Sequence, residues 1–152
     1  MTNSEKFRPG SAIASGWILI AFFIGFILQS IFYGGDIVVT VGICGAGAFG
    51  SYLLFLKPYV LLYDEGIKIV NPTKEITATW DLVEEIETKY SMSIHVNERT
   101  YYAWAAPAPS GRHIRRKNFT GVSASEFEII SDNRGLYILA ALILFGAATS
   151  FI

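Results

Sequence analysis

The sequence offers few residues that could perform catalysis or bind a metal. Its 152 residues include one cysteine, Cys44, and two histidines, His95 and His113. A single cysteine excludes an intrachain disulfide and a cysteine-based zinc site. Neither histidine has a second ligand at metal-binding spacing. Both histidines are therefore predicted to lie on the surface, and we expect no metal and no cofactor.

The motifs of common active sites are also missing. There is no Gly-x-Ser-x-Gly nucleophile elbow, and no glycine-rich phosphate loop outside the apolar runs. Asp81, Glu84, Glu85 and Glu87 form an acidic cluster, and paired carboxylates can transfer protons or bind Ca²⁺. The cluster lacks the glycine turn of a calcium loop, so it is predicted to be a solvated face. We expect a protein without enzymatic activity.

Charged residues are scarce and apolar runs are long. The charged fraction is 16% and the net charge is −1, against about 25% charged residues in a typical globular protein. So small a net charge gives no field that would recruit nucleic acid. Residues 13–32 and 37–56 form two uncharged apolar runs. At ~1.5 Å per residue, a helix of about twenty residues crosses a ~30 Å hydrocarbon core.

These two runs are predicted to form a transmembrane helical hairpin over residues 12–57, with Gly34-Gly35-Asp36 as its turn. A secretory signal peptide is the rival interpretation of the first run. That run exceeds the usual signal-peptide core of about 7–15 residues, and no small-residue cleavage site leads into a polar segment. Residues 1–11 are polar and are predicted to be a flexible cytoplasmic tail.

A stripe of small residues lies along the second run. Gly42, Ala46 and Gly50 recur at intervals of four and would share one helix face. Such stripes let helix backbones approach closely in lipid. The favoured interpretation is packing against the first run within the hairpin, and the alternative is a seam between two copies of the chain.

Residues 58–106 alternate between apolar and polar side chains, which is typical of half-buried strands. Asp64-Glu65-Gly66 is predicted to be a tight turn in which Gly66 adopts a positive φ. A second turn is predicted at Glu98-Arg99. Leu82, Val83 and Ile86 have helical spacing, which predicts a single helical turn before a strand at residues 87–91. Five or six short strands predict a small antiparallel sheet or partial barrel.

Several short motifs occur together in this segment. They are Tyr63-Asp64-Glu65-Gly66-Ile67, Asn71-Pro72, Ile76 with Trp80-Asp81-Leu82-Val83-Glu84-Glu85-Ile86, and Tyr102-Ala103-Trp104-Ala105-Ala106-Pro107. With the helical hairpin ahead of them, they resemble the bacterial PH-like domain of small actinobacterial membrane proteins. The resemblance implies a PH-like fold, in which a pair of β-sheets is usually closed by a C-terminal helix, and it implies no enzymatic activity.

One departure from that pattern concerns ligand binding. Phosphoinositide-binding PH domains use several basic residues around the first strand turn, whereas here Asp64 and Glu65 stand in that turn. Repulsion of a phosphorylated headgroup is expected, so protein or peptide binding by the sheet is favoured over inositol lipid binding.

Residues 107–134 are predicted to be a basic linker followed by a short amphipathic helix. The basic cluster consists of Arg112, Arg115, Arg116 and Lys117. It has two equally weighted interpretations: attraction to anionic lipid headgroups, at about 1 kcal/mol per basic residue, or a solvated determinant of topology. The sequence Ser123-Ala124-Ser125-Glu126 fits a capping box, which predicts a helix over residues 124–131.

Residues 135–152 form a third uncharged apolar run. It is predicted to be a third transmembrane helix, with a buried terminal helix as the alternative. Lys6 and Arg8 precede the first run, ten further basic residues fall between Lys57 and Arg134, and none lies in the turn at residues 34–36. The positive-inside rule then predicts a multi-pass cell-membrane protein with its N-terminus and central domain in the cytoplasm.

The predicted fold class is therefore an α+β membrane protein with a transmembrane hairpin, a small antiparallel PH-like β domain at residues 58–106, and a C-terminal apolar helix. The predicted function is a non-enzymatic, membrane-tethered module that recruits or scaffolds a protein partner at the cytoplasmic membrane face. A small transport or channel component is an alternative, although the runs contain no ionisable residue that would mark a transport path. Two further functions stay open, a peripheral lipid-binding surface and a lipid-modifying enzyme. The expected partners are the bilayer and a protein, a homo-oligomer stays open, and nucleic acid is not expected.

Overall fold

A computed structural model describes residues 4–87, 91–107 and 126–149, and the chain divides into two compact units. The helical unit comprises residues 10–57 and 132–152, and the β unit comprises residues 1–9 and 58–131. The protein is α+β: two N-terminal apolar helices are followed by antiparallel sheets and then by a C-terminal apolar helix. This order of elements confirms the coarse prediction.

The described residues of the helical unit form three helices. Helix α1 spans Gly10–Tyr33, α2 spans Ile37–Ser51 and continues as a π-helical turn over Tyr52–Leu56, and α3 spans Arg134–Thr149. Helix α1 and the combined segment Ile37–Leu56 are long and apolar enough to cross a membrane, with mean hydropathies of 2.3 and 1.9. Helix α3 is apolar but shorter. Length and composition therefore give weak support for membrane association.

The turn between α1 and α2 caps the end of the first helix and the start of the second. Gly34 adopts a φ of +77°, which L side chains rarely tolerate. The Gly35 N–H then donates to the Ser30 carbonyl at 2.9 Å, which is the long bond of a Schellman motif. Asp36 caps α2 by accepting a 3.1 Å bond from the Val39 N–H. The predicted Gly34-Gly35-Asp36 turn is thus present.

In the part of the β unit that the structure describes, the strands form two antiparallel sheets. The large sheet has the order β1-β2-β3-β4-β8 and the small sheet the order β5-β6-β7. The bounds are β1 Glu5–Phe7, β2 Tyr59–Tyr63, β3 Gly66–Val70, β4 Lys74–Thr79, β5 Val83–Glu87, β6 Ser91–Val96, β7 Arg99–Pro107 and β8 Phe127–Ser131.

One hydrophobic core is shared by both sheets. Buried aliphatic residues of the large sheet, among them Ile67, Ile69 and Ala78, belong to the same cluster as Ile94 and Val96 of the small sheet. The alternation read from the sequence places these side chains inward, so the predicted antiparallel β segment is present. The PH-like fold itself stays a prediction.

One region predicted to be flexible and another predicted to be helical form strands. Residues 5–7 of the tail form β1, which pairs with β2 through Lys6 opposite Leu61. The helix predicted over residues 124–131 is wrong where the chain is described, because residues 127–131 form β8 and pair with β4. A lone turn of helix gains little backbone hydrogen bonding. Pairing with β4 gives each residue of β8 a partner strand and places Phe127 opposite Ala78.

The helical turn predicted from Leu82, Val83 and Ile86 is also wrong, because residues 83–87 form β5. The ladder between β5 and β6 shifts register between Val83 and Glu85. This bulge adds one residue to the strand, so Val83 and Ile86 both pair on the inward face although they are three residues apart. A bulged strand therefore reproduces helical spacing.

Both predicted tight turns differ in detail from the structure. Gly34 is the one glycine with a positive φ in the described part of the chain, so the prediction of a positive φ at Gly66 is wrong. Gly66 is needed because a Cβ there would lie 3.0 Å from the Ala78 carbonyl carbon of the neighbouring strand. The hairpin between β6 and β7 turns at Asn97 and Glu98, one residue earlier than predicted, with φ values of 50° and 61°.

Candidate functional surfaces

The large sheet has one end at which the chain repeatedly enters and leaves it. Strand β1 ends at Phe7, β2 begins at Tyr59 and β8 ends at Ser131. The register aligns these points across the sheet, since Phe7 lies opposite Val60, Tyr59 opposite Val70, and Ser131 opposite Lys74. We call this edge of the strands the root end. Two residues separate each of these three points from the nearest helical segment.

Basic side chains and an aromatic ring gather at the root end. The Lys6 ammonium lies 4.0 Å from the centre of the Tyr59 ring, and the Arg8 guanidinium carbon lies 5.9 Å from it. Such cation–π contacts contribute about 0.5–1 kcal/mol at exposed sites. The Arg8 Nε also donates to the Pro58 carbonyl at 3.3 Å. Together with the backbone ladder between the two strands, these contacts hold β1 against the start of β2.

Asn71 ties the small sheet to the root end. It follows Val70, the last residue of β3, and its side-chain amide makes two bonds to the backbone of β7. The Asn71 Nδ2 donates to the Tyr102 carbonyl at 2.8 Å, and the Trp104 N–H donates to the Asn71 Oδ1 at 2.8 Å. One side chain thus pairs with the edge of β7 as a strand residue would.

We expect Asn71→Ala to destabilise the β unit by about 1–3 kcal/mol, because two hydrogen bonds of about 0.5–1.5 kcal/mol each are lost. Urea unfolding of the full chain in micelles, followed by the circular dichroism of the strands, measures this change. Asn71→Asp is the matched variant, since it keeps the acceptor for Trp104 and loses the donor to Tyr102. An Asp variant as stable as the parent would contradict a two-bond role.

Two large aromatic side chains of β7 project outward near this position. Tyr101 and Ala103 face the core, whereas the alternate residues Tyr102 and Trp104 are 62% and 64% exposed. Their backbone is the part of β7 bonded to Asn71. The outward aromatics therefore belong to the root end rather than to the opposite end of the sheets.

The opposite end, which we call the far end, carries carboxylates. Asp64 and Glu65 form the turn between β2 and β3, Asp81 follows Trp80, and Glu126 precedes β8. The Trp80 Nε1 donates to the Tyr63 carbonyl at 3.0 Å, and the Thr79 N–H donates to the Glu126 carbonyl at 3.1 Å. Burial, and then the charges of Glu126 and Glu65, raise the pKa of the Tyr63 hydroxyl. The far end is acidic, whereas the root end is basic and aromatic.

The other residues singled out from the sequence are spread over the β unit. Asp81, Glu84 and Glu85 are exposed, and Glu87 lies in β5. Across the described ranges no group of three acidic, histidine or cysteine residues could hold a metal ion. His95 is half-buried on β6, and its Nδ1 shares a 3.2 Å hydrogen bond with the Thr100 hydroxyl. Arg112, His113, Arg115, Arg116 and Lys117 lie outside the described residues.

The small-residue stripe packs within the chain, but not where it was predicted to. A Cβ at Gly42 would lie 2.7 Å from the backbone nitrogen of Gly146 in α3. Ala46 is buried, and the nearest neighbour of a Cβ at Gly50 is Leu139, also in α3. The predicted packing of this stripe against the first helix is therefore wrong for both glycines. Gly47, on a different face of α2, meets Phe23 of α1 instead.

An ion pair joins the end of the π-helical turn to the start of α3. The Lys57 Nζ lies 2.8 Å from the Asp132 Oδ2, and the Arg134 N–H donates to the Asp132 Oδ1 at 3.3 Å. The hydrogen bond from Lys57, and then the one from the Arg134 N–H, lower the pKa of the Asp132 carboxyl. Folding therefore favours the ionised carboxylate.

The ion pair predicts an acid-sensitive helical unit. Because the pKa of Asp132 is lower in the folded state, its contribution is present above the unfolded pKa of about 3.9 and is lost as pH falls through the folded value. We expect Asp132→Asn to be less stable than the parent at neutral pH and to remove this part of the acid dependence. Thermal unfolding in micelles at a series of pH values measures both. If the unfolding temperatures of parent and variant changed with pH in parallel, the prediction would be contradicted.

Sequence reasoning missed the residues that define the root end. In the sequence, Asn71 stands out only as part of the Asn71-Pro72 motif, because a side chain that pairs with a distant strand leaves no local pattern. Tyr102 and Trp104 stand out only as members of the motif Tyr102-Ala103-Trp104-Ala105-Ala106-Pro107. Their alternation with Tyr101 and Ala103 could have marked them as an outward pair, since period-2 spacing puts them on one face.

Comparison of the chain with models of protein families, with curated proteins and with solved structures finds no match.

Proposed function

We propose that this protein is a non-enzymatic, membrane-tethered module whose β unit recruits or scaffolds a protein partner at the cytoplasmic face of the cell membrane. The observation that carries the proposal is the root end. Here the chain passes three times between the β unit and apolar helical segments, each time through two residues. Three short connections would hold a β domain at a membrane surface and leave its far end facing the solution.

The pairing of β1 with β2 supports a hairpin topology. Residues 5–7 precede α1 and residues 59–63 follow α2, and the two strands form one ladder. Paired strands must lie on the same side of a bilayer. Helices α1 and α2 would then cross as a pair. The distribution of basic residues, with Lys6 and Arg8 before α1 and none in the turn between the helices, favours the cytoplasmic side.

Helix α3 would form a third span under this proposal. Gly42 of α2 and Gly146 of α3 lie at backbone contact distance, which is typical of helix pairs in lipid. A terminal helix buried in a soluble protein is the alternative. The PH-like resemblance agrees with a membrane-attached β domain of two sheets, although the C-terminal helix it implies is replaced by β8 where the chain is described.

The far end is the proposed contact surface for the partner. It lies away from the three connections, and its exposed Glu65, Asp81 and Glu126 would suit a partner with a basic surface. Salt-dependent binding would follow from that complementarity, since contacts between exposed charges weaken as ionic strength rises.

Site-specific photo-crosslinking in native membranes tests the proposal. A photoreactive amino acid is placed at Glu65 of the tagged full chain, and the same amino acid at Gly45, where the structure leaves open space on α2, is the control. We expect a reproducible protein adduct from the Glu65 position that the Gly45 position does not give. Lipid adducts or self-crosslinks alone from Glu65 would overturn partner recruitment. They would direct attention to a homo-oligomer or a transport component.

A further inference from the structure

We propose that Tyr102 and Trp104 form an interfacial anchor that inserts into the phospholipid headgroup layer of the bilayer holding the helices. This inference rests on the membrane attachment in the proposed function, and it deepens that function by assigning a lipid-contacting surface to the β unit itself. It would fix how the unit is oriented on the membrane.

The first support is the exposure of two large aromatic side chains side by side. Tyr102 and Trp104 alternate with inward residues on β7 and are 62% and 64% exposed, whereas Ala103 between them is buried. Adjacent outward aromatics on one strand present an apolar patch that favours contact with another phase or molecule. Both side chains also carry a polar hydrogen, which an apolar protein core would leave unpaired and a headgroup layer would not.

The second support is position. Asn71 bonds to the backbone of both residues at 2.8 Å and directly follows Val70, which lies opposite Tyr59 at the root end. The aromatic pair is therefore held to the end of the sheets where the chain connects to the apolar helices, and not to the acidic far end.

The third support is the short length of the segments that connect the strands to the helices. Two residues lie between Phe7 and α1, two between Leu56 and Tyr59, and two between Ser131 and α3. At about 3.3–3.6 Å per extended residue, the three steps across each connection reach only about 11 Å. The polar layer on each side of the hydrocarbon core is about 5–8 Å thick. With the helices inserted, the root end cannot lie far from the headgroups.

The chemistry of the root end fits the headgroup layer. Tryptophan and tyrosine are the residues enriched at membrane–water interfaces. Lys74 is exposed at the same end of the sheet, and Arg8 lies beside Tyr59 there. Cationic side chains near anionic headgroups add attraction. Aromatic rings with basic neighbours are the combination that peripheral membrane surfaces use.

The three tryptophans of the chain supply the test. Trp17 lies in α1, Trp80 at the far end and Trp104 at the root end. The full chain is reconstituted in phosphatidylcholine–phosphatidylglycerol vesicles with and without a lipid carrying a nitroxide on its headgroup. Emission is compared between Trp17→Phe, which retains Trp80 and Trp104, and the double variant Trp17→Phe with Trp104→Phe, which retains Trp80 alone.

We expect the headgroup nitroxide to remove the Trp104 component, which is the difference between the two variants, and to leave the Trp80-only emission unchanged. An unquenched Trp104 component would overturn the anchor. Equal quenching of the Trp80-only protein would overturn the orientation on which the anchor depends. Circular dichroism of each variant verifies the fold.

A second quencher tests the membrane attachment of the helices separately from the anchor. Lipids with brominated acyl chains should quench the Trp17 component, which is the native emission minus that of Trp17→Phe. Quenched Trp17 with unquenched Trp104 would reject the anchor and leave the attachment standing. Unquenched Trp17 would reject the attachment itself. Crosslinking from Glu65 tests partner recruitment independently of either result.

Discussion

Replacing Trp80 with alanine is expected to lower the free energy of unfolding of the β unit by about 3 kcal/mol, the lower end of the range for removing a core aromatic ring. The Trp80 ring packs against the shared core but is only half-buried, so the cavity left behind is partly open to water. The substitution also removes the hydrogen bond from Nε1 to the Tyr63 carbonyl. Urea unfolding in micelles, followed by the circular dichroism of the strands, measures the loss.

Trp80→Phe is the matched control for this change. It keeps most of the ring contact and removes the N–H donor, so its cost should be about 1 kcal/mol, the usual value of one hydrogen bond. A Phe variant as damaging as the Ala variant would assign the effect to the bond with Tyr63 rather than to packing. An Ala variant of parental stability would show that the ring does not contribute to the core.

Gly42→Ala is expected to destabilise the helical unit by about 1–3 kcal/mol, the usual cost of overpacking, with the upper end favoured. The added methyl group would collide with the Gly146 backbone of α3, 2.7 Å from its nitrogen. Backbone atoms cannot rotate away as a side chain can, so the two helices must separate. Thermal unfolding of the full chain in micelles gives the shift in stability.

The control for this prediction lies one turn away in the same helix. A Cβ at Gly45 meets nothing within 4 Å, so Gly45→Ala should cost nothing and gains the helix preference of alanine over glycine. Equal effects at both positions would argue against close packing of α2 on α3. Loss of a dimer in Gly42→Ala at unchanged monomer stability would support the alternative of a seam between copies.

The strand pattern was predictable because most of its determinants are local. Alternation at Ile67 and Ile69, and again at Ile94 and Val96, identified inward faces that the structure confirms as the core. The hairpin turn at residues 34–36 was equally readable, since glycine and aspartate favour helix ends. The wrong secondary-structure predictions fall in segments whose conformation depends on pairing with a distant strand. The segment at residues 127–131 becomes β8 because β4 offers an open edge, and a bulge opposite β6 turns Val83 and Ile86 inward together.

The candidate surfaces were less predictable than the fold. The small-residue stripe can be recognised in the sequence. Both α1 and α3 could pack against α2, however, and sequence spacing does not say which of them contacts Gly42. The acidic turn was visible in the sequence as Asp64-Glu65. Glu126 lies at the same end of the sheet as this turn because of the register between β4 and β8, in which Thr79 bonds to Glu126.

By itself, the sequence determined the class of this protein: apolar helices around a polar, alternating β segment. Hydrophobicity and period-2 alternation are properties of neighbouring residues and need no tertiary contact. Tertiary structure alone decided that the end of β1, the start of β2 and the end of β8 lie at one end of the large sheet, and that Asn71 brings the Tyr102–Trp104 pair to it. These are pairings between residues far apart in sequence, chosen because each buries apolar area and satisfies backbone groups that no local segment could satisfy alone.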